Sequence, residues 1–380
     1  VNLTEQAKQY FTTQFGSHSE LVCYAPGRVN IIGDHTDYND GFVLPAAINY
    51  GTAIAASPRD DRKIIVYAHD CDQQTSEFNL ENIEFDDQHM WSNYVRGTLS
   101  MLLKKFPDLR GATLAVTGNV PQGAGLSSSA SFEIAILKTF KELFSLPLDG
   151  IEAALLGQQA ENQFVGCNCG IMDQLISAMG QESNAMLLDC RALTFEDAPI
   201  PEGYCFVIVN SNVKRGLVDS EYNLRREQCE AVAKYFNVKA LRDLSMEQLL
   251  EEKAQLSDVE FRRARHVISE NDRTLAALEA LKSNDIKTMS ELMRASHLSL
   301  KQDFEVTTPE MDALVDIIHS VLGDNGGCRM TGGGFGGCVI ALAPKHLVDS
   351  IKDTVAQQYP SRSNLSADIY VCSPEQGAFR

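Results

Sequence analysis

The sequence predicts an α+β fold in two domains. Three observations carry that expectation. Short β-rich runs and longer amphipathic stretches are interleaved along the chain. Both halves contain both kinds, which points to helices packed on sheets in each. Between the halves, PIPEG at Pro199–Gly203 is the strongest candidate hinge, so domains are expected at 1–200 and 201–380. A chain of 380 residues is long enough for roughly two or three domains with ample cores.

The elements follow in order. Residues 3–15 are spaced as an amphipathic helix. β-rich runs at Leu21–Tyr24, Phe42–Ala46, Thr52–Ala56 and Ile64–Ala68 read as strands. A helix is expected from Trp91 to Phe106 and a strand at Thr113–Thr117. Ser129–Leu143 reads as a helix, with Ile134, Leu137 and Leu143 among its apolar positions. Helices at 151–164 and 172–179 and strands at Ala185–Asp189 and Cys205–Val209 complete the first half and cross the hinge. Long helical patterns then cover 219–236, 258–282, 285–300 and 309–322. A glycine-rich loop, a strand Val339–Ala343, a helix 345–358 and a strand Asp368–Val371 close the chain. No internal repeat or low-complexity tail is present.

Hydrophobic residues make up 44% and charged residues 22%, ordinary for a soluble globular protein. The net charge is −18 with a pI near 4.9. So acidic a surface repels phosphate backbones and argues against a nucleic-acid partner. Any site for a phosphorylated ligand must therefore carry its own donors and a cation. Gly111–Phe132 has no charge over 22 positions, but its Gly, Pro, Ser and Asn content excludes a membrane span. Val1–Phe15 lacks the apolar core of a signal peptide, so the ten cysteines are expected as reduced thiols of a cytoplasmic protein. Cys167 and Cys169 form C-x-C rather than the zinc-type C-x-x-C and read as small buried thiols.

Chemistry concentrates in PGRVNIIGDHTDYNDGFVLP, Pro26–Pro45. Between Arg28 and Asp40 it gathers an arginine, a histidine and three aspartates, with Asn30 and Asn39. Such groups are costly to bury unless paired or engaged by a ligand. Gly27, Gly33, Gly41 and the flanking prolines mark turns. The expected shape is a loop dense in donors and acceptors, held by strands and suited to a polyhydroxylated ligand such as a sugar. A solvated acidic hairpin is the other reading.

PQGAGLSSSAS, Pro121–Ser131, falls between a strand and a helix. Gly123 and Gly125 let the backbone approach an anion, and the helix start offers unpaired N–H groups and a favourable dipole. That suits a triphosphate; a plain serine cap after a glycine turn is the alternative. Gly118-x-x-x-x-Gly123 has P-loop spacing, but Ala124 and Gly125 stand where Lys and Ser/Thr are needed. In RMTGGGFGGC, Arg329–Cys338, Gly332-x-Gly334-x-x-Gly337 has dinucleotide spacing, but a strand follows instead of a helix. Its five glycines in six residues exceed what an inter-strand turn requires.

Together the three segments resemble the small-molecule kinase superfamily of galactokinase, homoserine kinase, mevalonate kinase and phosphomevalonate kinase. GRVNIIGDHTDYNDGFVLP is similar to the galactokinase signature. The resemblance continues through AENQFVGCNCGIMDQLIS (Ala160–Ser177) and SEYNLRREQC (Ser220–Cys229), so it covers nearly the whole chain. It implies a two-domain kinase fold with the active site in the cleft between domains. It also implies a monomer that uses ATP and Mg2+ to convert galactose to α-D-galactose 1-phosphate.

By the same resemblance Gly123, Ala124, Gly125, Leu126, Ser127, Ser128 and Ser129 would wrap the phosphates. Ser129 and Glu161 would hold Mg2+, which takes few protein oxygens alongside phosphate and water. Asp34, His35, Thr36, Asp37, Gly170, Asp173 and Tyr222 would contact the sugar. Asp173 would accept the proton of the anomeric hydroxyl, with Arg28 beside it keeping it charged and stabilising the transferring group. Trp91 and Tyr94 would flank adenine or else belong to the core. The third-motif loop would fold in from the second domain to support the phosphate loop.

One position departs from the family. Galactokinases carry glutamate where this chain has Asp34, so the carboxylate is withdrawn by about 1.5 Å, one C–C bond. It then reaches a hydroxyl only after a loop shift or through a bridging water. Selectivity at one sugar hydroxyl hangs on that difference. It keeps open a sister kinase for N-acetylgalactosamine or arabinose. A non-catalytic galactose sensor like that of yeast lacks a Ser-Ala pair in this loop, whereas Ser127-Ser128-Ser129-Ala130 is intact here.

Overall fold

The structure, a computed structural model, describes residues 2–214, 216 and 218–380. The first half runs α1 (Leu3–Phe15), β1 (Leu21–Asn30), β2 (Phe42–Val43), β3 (Pro45–Pro58), β4 (Lys63–Ala68), β5 (Gln74–Asn79), α2 (Ser92–Lys105) and β6 (Ala112–Gly118). It continues with α3 (Ser128–Phe144), α4 (Gly150–Gln159), α5 (Met172–Met179), β7 (Asn184–Asp189) and β8 (Thr194–Pro199). The second half runs β9 (Tyr204–Asn210), α6 (Val218–Tyr235), α7 (Met246–Glu251), α8 (Asp258–Lys282), α9 (Ile286–Gln302) and α10 (Pro309–Leu322). It ends with β10 (Gly327–Thr331), β11 (Cys338–Pro344), α11 (Val348–Ser363) and β12 (Asp368–Cys372).

A five-stranded sheet in the order β1-β3-β6-β4-β5 forms the first half, antiparallel except for the β4–β6 pair. It is buried on both faces, as the alternation of β3 shows. Ile54 and Ala56 join the core under α2 and α3, while Ala53 and Ala55 meet Ala7 and Phe11 of α1. The second half is a four-stranded antiparallel sheet, β10-β11-β9-β12. One face, with Val207, Val209 and Val339, packs on α10 and α11. The other, with Phe206, Ile208 and Ile340, packs on α8 and α9 and on Ile31, Leu44 and Ile48 of the first half. One hydrophobic core thus joins the two domains. A small sheet, β2-β7-β8, flanks it.

The α+β, two-domain expectation is met, and the differences are local. The first strand runs to Asn30, so Arg28 lies on a strand and not in the expected loop. A register shift at Pro26–Arg28 absorbs the proline, which has no N–H to give. The expected strands Phe42–Ala46 and Thr52–Ala56 become β2 and one long β3. The helix expected at 151–164 stops at Gln159 and widens into a π-turn over Ala160–Val165. Residues 374–379 return to the first half: Glu375 N donates to Ala47 O, Ala378 N to Ser177 O and Phe379 N to Ala178 O. Among the described residues no helix is long and apolar enough to cross a membrane.

Candidate active site

Two cavities sit on either side of the turn before α3. The smaller, 170 Å³, is lined from the first half by Arg28, Gly33, Asp34, His35, Asp37, Cys169, Gly170, Met172 and Asp173, and from the second by Tyr222, Gly332 and Gly333. It has room for one small polar ring. β1 delivers Arg28, and the turn after it delivers the next four. His35 adopts a left-handed φ of 62°, a conformation costly outside glycine. Its Nδ1 lies 2.7 Å from Tyr38 OH and its Nε2 3.2 Å from Gly333 O, which joins the first motif to the third. Burial lowers its pKa to about 3, so the ring is neutral. A Cβ at Gly170 would collide with the Asp37 carboxylate, so any side chain there must displace that group.

Arg28 is the centre of the geometry. Its Nε donates to Asp173 Oδ1 at 2.7 Å and its Nη1 to Gly125 O at 2.6 Å. Asp173 opens α5, where the dipole favours its charge. Asp37 has no such cation against it. Burial, then repulsion from Asp173, raises its carboxyl to about 6 from an ordinary 3.8. Between those values the folded protein holds a proton that the unfolded chain releases, so stability falls as pH rises through the window and the deficit is complete above pH 6. Asp37→Asn is expected to raise Tm above pH 6 by an amount worth up to about 3 kcal/mol. The gain should vanish below pH 4 while sugar affinity falls throughout. Thermal melts across that range check it.

Asp34 lines the same cavity but is already engaged. Oδ1 accepts from Asn30 Nδ2 at 2.8 Å, and Oδ2 pairs with Arg329, which is fully buried. Burial pushes its carboxyl upward, and Arg329 and Asn30 pull against it. Arg329 also donates to the carbonyls of Asn30 and Ile31 at 3.2 and 3.1 Å and to Ser296 Oγ at 3.1 Å. Ser296 Oγ donates to Glu270 at 2.6 Å, and Arg273 caps Glu270 at 2.7 Å. Thr36 does not line the cavity. It is fully buried, and its hydroxyl donates to the carbonyls of Gly33 and Phe42.

The larger cavity, 360 Å³, is lined by Trp91, Tyr94, Val116, Phe132, Ser128 and Ser129 among others. Trp91 and Tyr94 face it and so are not simply core; Trp91 Nε1 is fixed by Gln74 at 2.7 Å. Below it lies the Gly123–Ser129 turn, with φ of 72° at Gly123, 73° at Gly125 and 60° at Ser127. Helix α4 has a complete capping box from Asp149 and Glu152, whereas α3 opens with no side-chain cap. Its N–H groups therefore face the opening, the usual arrangement for an anion. Ser127 Oγ is buried without a partner among the described residues. Ala124 and Leu126 turn their side chains into the core, so they offer backbone only. The turn is pinned from behind: Arg28 N donates to Leu126 O at 3.1 Å and Cys338 Sγ to Ala124 O at 2.7 Å. The glycine-rich third motif therefore does reach the turn.

Beneath Ser129, two buried carboxylates face each other. Burial raises Glu133 well above its usual range, with Glu161 adding to the rise; Glu161 is also raised by burial and bonds to Ser129. Glu133 Oε2 and Gln174 Oε1 are buried without partners among the described residues. Paired carboxylates with an orphaned oxygen beside a hydroxyl are hard oxygen donors that fit Mg2+. Sequence reasoning missed Glu133, although a carboxylate one turn after Ser129 on the apolar side of α3 was a usable signal. It also missed Arg329, because a lone arginine in a glycine-rich segment carries no periodicity.

Known proteins resemble this chain along nearly its whole length. The galactokinase galactose-binding signature matches residues 9–58, and the N-terminal and C-terminal GHMP kinase domains match 93–181 and 277–361. Lactococcus lactis galactokinase, crystallised with galactose, is similar at 37% identity and a TM-score of 0.91 over 97% of each chain. Methanococcus jannaschii mevalonate kinase shares the fold at a TM-score of 0.65 and 20% identity, over 95% of this chain and 100% of that one. Streptococcus pneumoniae phosphomevalonate kinase does so at 0.65 and 13%, over 93% and 100%. Signature, fold and near-complete overlap converge: the chain belongs to the galactokinase family and is an ATP-dependent sugar kinase of the GHMP fold.

Proposed function

We propose that this galactokinase passes the γ-phosphoryl group of ATP to the anomeric hydroxyl of α-D-galactose in one in-line step, with Asp173 and Arg28 at the reacting centre. The observation that carries the assignment is the span of Arg28, from Asp173 at 2.7 Å to the Gly125 carbonyl at 2.6 Å. One guanidinium touches both the carboxylate in the small cavity and the turn below the large one. Asp173 takes the proton as the hydroxyl attacks, and Arg28 holds that carboxylate in place and offsets charge on the group in transit. Phosphoryl transfer asks mainly for positioning and charge neutralisation, which suits a site with so few reactive groups.

Asp34, His35, Asp37, Gly170 and Tyr222 form the sugar subsite in this reading, with Thr36 holding their loop. The turn from Gly123 to Ser129 and the open start of α3 take the phosphates, with Trp91 and Tyr94 toward the base. Ser129 and Glu161 would hold Mg2+, which when bound offsets phosphate charge. The domains divide at 200–201. A monomer working in the cytoplasm completes the proposal.

A specific observation keeps a second sugar in play. Each Asp34 oxygen already accepts one bond, from Asn30 or Arg329, which narrows the directions left for a sugar hydroxyl. ADP release with galactose, N-acetylgalactosamine, arabinose and glucose decides. Turnover restricted to galactose, and abolished by chelating divalent cations, is expected. Faster turnover of another sugar would reassign the substrate and point to Asp34.

A further inference from the structure

The C-x-C pair does not sit in the core. Cys167 is exposed and Cys169 only half-buried, against the expectation of small buried thiols. Both lie on the turn that follows the π-helical segment carrying Glu161. That turn is tightly built: the N–H groups of Gly166 and Cys167 each donate to Glu161 O at 2.8 Å, with Gly166 at a φ of 94°. It folds the two thiols back over the residue that started it. One carboxylate oxygen of Glu161 and the two sulfurs all lie within 4.8 Å of one another. Among the described residues this is the one group of three or more His, Cys, Asp or Glu side chains arranged so.

The donor set decides what it would hold. Thiolates select soft or borderline cations and are poor ligands for magnesium. Around a tetrahedral ion with metal–sulfur bonds of about 2.3 Å, donors stand roughly 3–4 Å apart, so the three need to close by no more than about 1–2 Å. Three protein donors leave the fourth place for water. Asn162 holds this turn through its Oδ1, which accepts from Cys169 N at 3.1 Å; the bond it accepts from Cys169 Sγ at 3.4 Å is given up when the thiol ionises. The two thiols release their protons to solvent as the ion enters.

We propose that Glu161, Cys167 and Cys169 form a binding site for a thiophilic divalent cation such as Zn2+, whose occupation draws Glu161 away from magnesium and so inhibits the kinase. The second clause rests on the assignment of Glu161 to magnesium above; the first does not. Cys169 also lines the small cavity, so the occupied site abuts the sugar subsite as well as the magnesium position. It is relieved by excess magnesium or by a chelator selective for zinc.

The test uses the full-length enzyme and Cys167→Ser, a change at an exposed residue outside both cavities. Zn2+ affinity is read by competition with a fluorescent indicator, and Cd2+ is added to detect the ultraviolet cadmium–thiolate absorption. Expected are one tight Zn2+ per chain, a thiolate band, and affinity at least about 10–100-fold weaker in Cys167→Ser, the loss that even an outer-shell change produces. Turnover with magnesium alone stays at the wild-type level in the variant, while its inhibition by Zn2+ moves by the same factor. No stoichiometric binding, or binding that Cys167→Ser leaves intact, overturns the site. A thiolate site whose occupation does not compete with magnesium would retain the first clause, and it would reject both the second and the role of Glu161.

Discussion

Asp173→Asn is expected to lower kcat by about 10²–10⁴-fold, the usual contribution of a positioned general base. Asparagine keeps an oxygen for the Arg28 Nε that now sits 2.7 Å away, so the site should remain assembled. It removes the group able to take a proton. Asp173→Ala goes further and leaves the Arg28 guanidinium without its carboxylate. Since the Asp173 side chain is 31% exposed, the stability cost falls below the about 3–5 kcal/mol of breaking a fully buried pair. Steady-state ADP release, with galactose affinity measured separately by calorimetry, checks the assignment. Weakened binding with undiminished kcat would remove Asp173 from the role of base. A loss near the lower bound would mean that it chiefly orients the hydroxyl.

The largest effect on stability is expected at Arg329. Arg329→Met should cost about 3–5 kcal/mol, because it leaves the buried Asp34 carboxylate uncompensated. The carbonyls of Asn30 and Ile31 lose a donor as well. Glu270 is less affected. Burial pushes its carboxyl up, but Arg273, His266 and Arg329 together bring it down to about 2, and Arg273 remains. Adding Asp34→Asn to Arg329→Met should therefore recover part of the loss, since the stranded charge is gone. Urea unfolding of the two single variants and the double gives the coupling directly. Additive losses would show that the pair does not act as a unit.

How much of this was legible follows from what each residue does locally. The long helices from α8 to α10 carry regular apolar spacing and were readable nearly end to end. β5, β8 and β10 were not. The first two are short polar strands at sheet edges, with exposed positions alternating along them. The third is fully buried yet contains Arg329, and a charged residue argues against a buried strand unless its partners are known. The same logic governs the site. Arg28, Asp34, His35 and Asp37 stood out because nothing in a core explains them. Glu133, Arg329 and Glu270 act through contacts between residues up to 299 apart in sequence, which no local pattern encodes. Cys167 and Cys169 were visible but misplaced, because exposure of a turn depends on what packs over it.

The return of residues 374–379 onto α5 has a bearing on how the enzyme is made. The C-terminal end of α5, the helix that carries Asp173, is held by Phe379 and by backbone pairings at Ser177, Ala178 and Gly180. A ribosome that has released residue 180 must still translate through residue 374 before those partners exist. At about 5–20 residues per second that interval is roughly 10–40 s. During it the nascent first half exposes an unfinished apolar seam. The far end of α5 is thus made midway through synthesis and gains its permanent partners only with residues 374–379.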